Sequence, residues 1–229
     1  MMKARFLGHA CWQLSDGQRS IVIDPFLMGN PAAAARPEEL QVEAILISHG
    51  HSDHVGDALS IAKRTGALVI GCFEVATYFQ QKGVEAHAMH LGGAHSFPFG
   101  TVKMTPALHG SGLVEDGQMI YMGNPAGFLI GMGDRVIYHS GDTALFSDMK
   151  LIGRNRKIDL ALLPIGDNYT MGIDDAIEAV KLLDPARVVP MHYNTFDLIR
   201  ADAEEFKRRV LAETGAGCDI VAPGESIEV

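Results

Sequence analysis

Four side chains that can bind a metal ion fall within the segment His49-Gly50-His51-Ser52-Asp53-His54. Neutral imidazoles and a carboxylate are the ligands that zinc takes where no thiolate is offered. His49 and His51 are two residues apart, so in an extended chain their side chains point in the same direction. Asp53 and His54 are adjacent and diverge from that pair. The spacing therefore predicts two neighbouring metal ions rather than one.

Further candidate ligands follow other apolar strands. The apolar segment 42–48 predicts a buried strand directly before His49, and similar strands precede Asp142 and His192. In α/β sheets, sites assemble at the carboxyl ends of the strands. His109 also follows an apolar stretch and is trailed by small residues. We assign the ligands to two ions, one held by His49, His51 and His109, the other by Asp53, His54 and His192, with Asp142 bridging them.

The elements that must position these ligands follow an α/β pattern, because short apolar strands alternate with amphipathic helices. The turn Gly133-Asp134 predicts a hairpin between residues 128–130 and 135–138. No linker or low-complexity segment interrupts the chain, which predicts a single domain over residues 1–229. Helices are predicted at residues 55–65, 74–82, 173–183 and 197–214.

Composition limits the classes of partner. The formal net charge is −9, which argues against nucleic acid bound through its phosphates. No uncharged apolar stretch is long enough to cross a bilayer. Cys11, Cys72 and Cys218 are odd in number and form no CxxC pair, which predicts reduced thiols in the cytoplasm. We expect a cytoplasmic protein with a small-molecule substrate and no nucleic-acid or membrane partner, and leave homo-oligomers open.

The ordered ligands resemble the metallo-β-lactamase superfamily. Its HxHxDH motif matches residues 49–54, and its third histidine, bridging aspartate and last histidine match His109, Asp142 and His192 in order. Residues 8–11, 23–26 and 164–172 resemble a branch of small bacterial metal-dependent hydrolases related to ascorbate-6-phosphate lactonases. One departure is Gly110, where that family leads us to expect serine. The resemblance implies an αββα four-layer sandwich of two mixed sheets flanked by helices.

The resemblance also implies a binuclear hydrolase that cleaves a small ester, lactone or phosphoester with a metal-bridging hydroxide. Zinc is the first choice for the two divalent ions, with Mn²⁺, Ni²⁺ and Fe²⁺ left open. The ions outweigh the negative charge of Asp53, Asp142 and hydroxide, so the site favours an anionic or polarisable substrate. Asp53 is the expected catalytic residue, orienting the hydroxide and passing its proton to the leaving group.

Five residues are candidates for supporting roles around the metals. Asp24 is the expected carboxylate acceptor that holds the metal-binding loop. His9, at a strand end, fits either a packing role or a pocket role. Asn168, Tyr169 and Asn194 either shape a substrate pocket or serve the geometry of their loops.

Four other histidines are expected to stay outside the metal centre. His139 lies on an apolar strand, which favours a structural, hydrogen-bonded role. His87, His90 and His95 lie in sequence that resembles a solvated loop, so we expect no second metal site there.

Other activities of the same fold remain as alternatives. A phosphodiesterase or nuclease is disfavoured by the acidic charge and by the short distance between Asp142 and His192 in the chain. A di-iron redox protein is disfavoured because His51 stands where glutamate is typical of that class. A β-lactamase and a structural protein with a vestigial site rank lower still.

Overall fold

Buried apolar strands form two seven-stranded sheets and one separate hairpin in the computed structural model, which describes residues 1–229. The helices are α1 (Ser52–Val55), α2 (Ala58–Thr65), α3 (Phe73–Gln81), α4 (Ile173–Leu183) and α5 (Ala203–Glu213). No helix is both long and apolar enough to cross a membrane. The strands are β1 (Lys3–Gly8), β2 (Cys11–Ser15), β3 (Ser20–Ile23), β4 (Ala44–Leu46), β5 (Leu68–Cys72), β6 (Ala86–Met89), β7 (Ala94–Phe97), β8 (Gly100–Pro106), β9 (Gly112–Glu115), β10 (Gln118–Tyr121), β11 (Ala126–Met132), β12 (Arg135–His139), β13 (Leu160–Pro164), β14 (Arg187–Met191), β15 (Gly217–Cys218) and β16 (Ser226–Glu228).

Both large sheets are mixed. The first has the order β16-β1-β2-β3-β4-β5-β6 and is parallel from β3 to β6. The second has the order β15-β14-β13-β12-β11-β8-β7 and is parallel from β15 to β12. Strands β9 and β10 pair only with each other. The predicted hairpin is confirmed, since β11 pairs antiparallel with β12.

The core explains why the strands are apolar on both faces. A cluster of 44 buried residues joins side chains of both sheets, among them Trp12 and Phe128. A second cluster of 17 packs α4 and α5 against the other face of the second sheet. Strands covered on both faces need apolar side chains throughout, as in β4, where every residue is buried. The predicted αββα sandwich is confirmed.

The helix predictions were right in kind but not always in extent. The helix at residues 173–183 has the predicted bounds. The predicted helix at 197–214 begins late, at Ala203, because the Asp202 carboxylate accepts hydrogen bonds from the backbone N–H groups of Glu204 and Glu205. This is an N-cap, which starts a helix. Asp197–Ile199 form a 3₁₀ turn instead, within a loop that matters for the site.

Candidate metal centre

Three histidine nitrogens face one another at the carboxyl end of β4. Nε2 of His49 lies 3.0 Å from Nδ1 of His51, and Nε2 of His109 lies 3.2 Å from the same atom. His49 follows the strand and His51 immediately precedes α1, so the chain turns between them. Donor atoms this close fit around one ion whose bonds to nitrogen are about 2.0–2.1 Å long.

A second group of donors lies beside the first. The donor atoms of Asp53, His54 and His192 all lie within 4.8 Å of one another. Asp53 and His54 lie on α1, whereas His192 follows β14 of the other sheet in a left-handed backbone conformation, φ 53°. This group therefore exists only when the two sheets are packed together.

Asp142 lies between the two groups. Its Oδ2 atom is 3.0 Å from Nε2 of His192 and 3.2 Å from Nε2 of His54. The same oxygen is 3.6 Å from Nε2 of His109 and 4.0 Å from Nε2 of His49. The preceding Gly141 has φ +60°, and a Cβ there would lie 2.5 Å from the Ala126 oxygen, so the turn that aims Asp142 requires glycine.

Buried polar atoms in these groups have no partner within the protein. Nε2 of His54, Nε2 of His192 and Oδ1 of Asp142 are buried and make no hydrogen bond. Burial of a polar atom without a partner is costly. Burial keeps the pKa of His49 well below its usual value, so its imidazole is neutral and can offer a lone pair to a cation. The donor set therefore fits divalent cations.

A buried network fixes the protons of two of these histidines. The Asp24 carboxylate accepts from Nδ1 of His54 at 2.8 Å and from the Ser48 hydroxyl at 2.6 Å. The Ser48 hydroxyl in turn accepts from Nδ1 of His49 at 2.9 Å. Both imidazoles therefore carry their proton on Nδ1 and present Nε2 to the metal centre. The sequence pointed to Asp24 but missed Ser48, whose position directly before the motif was the available signal.

His9 contacts the metal centre from the first sheet. Its Nε2 lies 3.1 Å from Oδ2 of Asp53, and its Nδ1 lies 2.8 Å from Oγ1 of Thr195. Its ring centroid is 4.0 Å from that of His192. The side chain is buried and its backbone is left-handed, φ 59°. The sequence left both a packing role and a pocket role open for His9. In the structure His9 contacts the candidate ligand Asp53 in addition to its packing contacts.

A cavity of about 420 Å³ opens over both groups of donors. Asp53 lies in its wall with its side chain 30% exposed. The sequence missed three of the apolar residues there: Leu198 lies in the first turn of the helix predicted at 197–214, and Phe196 lies directly before it. The spacing of Asp202 and Glu205, typical of a helix N-terminus, was the signal that could have placed them in a loop. The lining residues are Phe26, His51, Ser52, Asp53, His109, Asp142, Tyr169, His192, Phe196 and Leu198.

The three predicted pocket residues have different positions. Tyr169 lines the cavity. Asn168 does not; it has φ 49° and its N–H donates to the Asp167 carboxylate. Asn194 also lies off the cavity wall, because its side-chain amide donates to the carbonyl of Ala201 and accepts from its N–H. Those two asparagines hold the shapes of their loops.

Comparison with known proteins agrees with the fold and the motif. The beta-lactamase superfamily domain matches residues 19–193. Over 229 residues the chain is 54% identical to a UPF0173 metal-dependent hydrolase of Pelotomaculum thermopropionicum, and the match covers 100% of both chains. The chain belongs to the UPF0173 family of metal-dependent hydrolases, in the beta-lactamase superfamily. A relative of the same description in Desulforamulus reducens is 52% identical over 231 residues and all of both chains.

A solved structure of an archaeal protein is similar to this chain along its whole length. Igni18, described as a metallo hydrolase from the hyperthermophilic archaeon Ignicoccus hospitalis, is 37% identical to this hydrolase. The two structures superpose with a TM-score of 0.90, over 100% of this chain and 99% of that one. The two proteins therefore share the same fold.

Glycines let the loops of this hydrolase approach closely. A Cβ on Gly50 would lie 2.2 Å from Cβ of Met122, so no larger residue fits between His49 and His51. The N–H of Gly50 donates to the Ser111 hydroxyl at 3.1 Å. The chain has Gly110 where we expected serine, but the next residue, Ser111, supplies a hydroxyl to the metal-binding loop.

The remaining histidines of the hydrolase lie outside the centre. His139 joins the two sheets, because its Nε2 donates to the carbonyl of Ala10 at 2.9 Å while its Nδ1 accepts from Gly141 N–H. His87 and His95 lie on β6 and β7, with ring centroids 4.4 Å apart, so the expected solvated loop was wrong for them. Neither belongs to a group of three or more potential ligands.

Proposed function

We propose that this metal-dependent hydrolase holds two divalent ions, zinc in the first place, and cleaves a small ester, lactone or phosphoester. The observation that carries the proposal is the position of Asp142, whose Oδ2 lies within 4.0 Å of nitrogens from both histidine groups. One carboxylate oxygen between two sets of ligands is the arrangement of a bridging ligand. Imidazole and carboxylate donors suit zinc, while Mn²⁺, Ni²⁺ and Fe²⁺ accept the same set.

The residues then have distinct roles. When bound, the two ions would supply water activated for attack at neutral pH and would polarise the oxygen of the scissile bond. Burial raises the pKa of Asp53, but the hydrogen bond from His9 and the nearby charges of His54 and His9 together outweigh burial and keep that pKa below its usual value, so the carboxylate is ionised. Asp53 lies at the cavity wall, where it can take a proton from the attacking water and return it to the leaving group.

A small substrate is favoured over nucleic acid. None of the 10 residues that line the cavity is lysine or arginine. Nucleases bind phosphates through such cations. The cavity of about 420 Å³ is in the range typical of small-molecule sites. We therefore rank the phosphodiesterase or nuclease alternative below a small-molecule hydrolase.

We also propose that the hydrolase works in the cytoplasm. Cys11, Cys72 and Cys218 are all buried and unpaired. Proteins of oxidising compartments use cysteine mainly in disulfides, so three free thiols favour a reducing compartment. Equal activity of the purified enzyme after incubation with and without reductant would leave this argument intact, whereas a requirement for a disulfide would contradict it.

A hydrolysis screen on metal-replete protein tests the proposed activity. Lactones, phosphodiesters, thioesters, β-lactams and RNA would be compared under the same conditions, with His51→Ala as the metal-site control. We expect turnover of a small ester, lactone or phosphoester that chelation abolishes and zinc restores. Faster turnover of RNA than of every small substrate would favour the nuclease. Redox-active iron with a visible absorption band would favour the oxidoreductase.

A further inference from the structure

The cavity over the metal centre has a polar floor and an apolar rim. The floor consists of the candidate ligands. The rim consists of Phe26, Tyr169, Phe196 and Leu198. Three of these rim side chains remain substantially exposed, at 54% for Tyr169, 41% for Phe196 and 65% for Leu198. Adjacent exposed apolar side chains around a concave site are typical of ligand-binding surfaces.

Two aromatic residues of the rim pack against His9. Phe26 and Phe196 lie edge-on to the His9 ring, with centroid distances of 5.8 and 5.5 Å. Their own ring centroids are 6.5 Å apart. Asn194, through its two hydrogen bonds to Ala201, closes the loop that carries Phe196. This aromatic part of the rim therefore has a defined position next to His9, whose Nε2 contacts Asp53.

The rim carries no cation that could bind an anionic group. Phosphate and carboxylate groups of ligands are recognised by arginine, lysine or free N–H groups at helix ends. Arg200 lies on the same loop, but it pairs with Asp197 at 2.6 Å and lines a separate, acid-rich cavity. The proposed ions would be the only positive charges facing a ligand in the cavity, and they lie at its floor.

We propose that the part of the substrate extending from the scissile bond into the cavity is an uncharged alkyl or aryl group. Negative charge on the reacting group is compatible with the metals. A phosphorylated or carboxylated tail is disfavoured at the rim, because no cation there would bind it. The inference rests on the proposed function, since the metals define which end of the substrate reacts.

Binding of hydroxamates to zinc-loaded full-length protein tests this inference without requiring turnover. The hydroxamate group chelates the metals and leaves its tail in the cavity. Calorimetry would compare acetohydroxamate, butanohydroxamate and hexanohydroxamate, and would set pentanohydroxamate against the monohydroxamate of glutaric acid, whose chain is equally long but ends in a carboxylate. We expect affinity to rise about two- to fourfold per methylene. The acid-tailed compound should bind at least about tenfold more weakly than its neutral match.

Variants of the rim make the test specific. Phe196→Ala and Leu198→Ala should flatten the dependence of affinity on chain length. Leu211→Ala, which changes a similarly exposed leucine on α5, should leave that dependence unchanged. Leu198→Lys should raise the affinity for the glutaric acid compound and lower it for hexanohydroxamate, because it places a cation on the rim.

The outcomes separate this inference from the proposed function. If no hydroxamate binds, the metal centre and the inference built on it are both wrong. If hydroxamates bind but chain length has no effect, or if the carboxylate tail binds as well as its neutral match, the proposed metal centre stands and the apolar substrate class is wrong.

Discussion

The carboxylate of Asp24 lies 2.8 Å from Nδ1 of His54, and both side chains are fully buried. This contact fixes the proton of His54 on the nitrogen that faces away from the candidate metal centre. It also joins the two halves of the centre, because the same carboxylate binds the Ser48 hydroxyl that orients His49.

Asp24→Asn is expected to weaken metal binding while leaving the fold intact. The amide can still accept one hydrogen bond, but it removes the charge that stabilises the two donors. Loss of such a partner costs about 10- to 100-fold in metal affinity. Competition titration with a zinc chelator measures the change, and Asp134→Asn, at an 89% exposed side chain, is the matched control. Equal affinities for the two variants would contradict the role of Asp24.

Asp142→Ala and His51→Ala should differ in metal content. Asp142 contacts both groups of ligands, so its loss should leave fewer than about one ion per chain. His51 contacts only the first group, so its loss should spare the second ion. In both variants the rate of hydrolysis should fall by more than about a hundredfold. Loss of a residue that binds the metal directly should reduce activity more than loss of a residue that only hydrogen-bonds to a ligand. Elemental analysis measures the content. Fewer than one ion in the parent protein, purified without chelator, would refute the two-metal centre.

His9→Asn tests whether His9 positions Asp53. Asparagine tolerates the left-handed backbone at this position, φ 59°, but its side chain is too short to replace the imidazole. We expect about a tenfold loss of affinity for the second ion and no loss for the first. Thr195→Val removes only the outer hydrogen bond and should have a smaller effect in the same direction. Two ions bound with parental affinities in His9→Asn would show that His9 serves packing alone.

Chelated, metal-free protein should lose stability as the pH falls below about 6.5. Burial lowers the pKa of His9 to about 4, and it also lowers the pKa of His49, His109 and His139. Between these values and the unfolded pKa, the unfolded chain binds more protons, so the free energy of unfolding decreases on acidification. Protonation of His9 alone should lower the free energy of unfolding by about 3 kcal/mol between pH 6.5 and pH 4. His54, with a raised pKa, opposes this trend.

Urea unfolding at pH 7.5 and pH 5 measures that effect. The midpoint should be lower at pH 5, and His9→Asn should show a smaller difference between the two pH values than the parent. A midpoint that stays constant or rises on acidification would mean that His54 dominates the balance.

Much of the centre was readable from the sequence because metal ligation restricts residue type. Only a few side chains bind zinc, and the four in residues 49–54 are held together by local chain geometry alone. The fold followed from apolar strands buried on both faces and from the resemblance that the ordered ligands carry. The hairpin at Gly133-Asp134 and the helix Ile173–Leu183 were local patterns of the same kind.

The tertiary structure decided what depends on distances between remote parts of the chain. His9 meets Thr195 across 186 positions, and no pattern near either residue indicates it. Leu198 falls within the helix predicted at 197–214, yet it lies in a loop at the cavity rim because Asp202 caps the helix later. Sequence determined which side chains can hold metals, since that is a property of residue type. Packing of the two sheets decided what surrounds them, since that depends on where remote backbones meet.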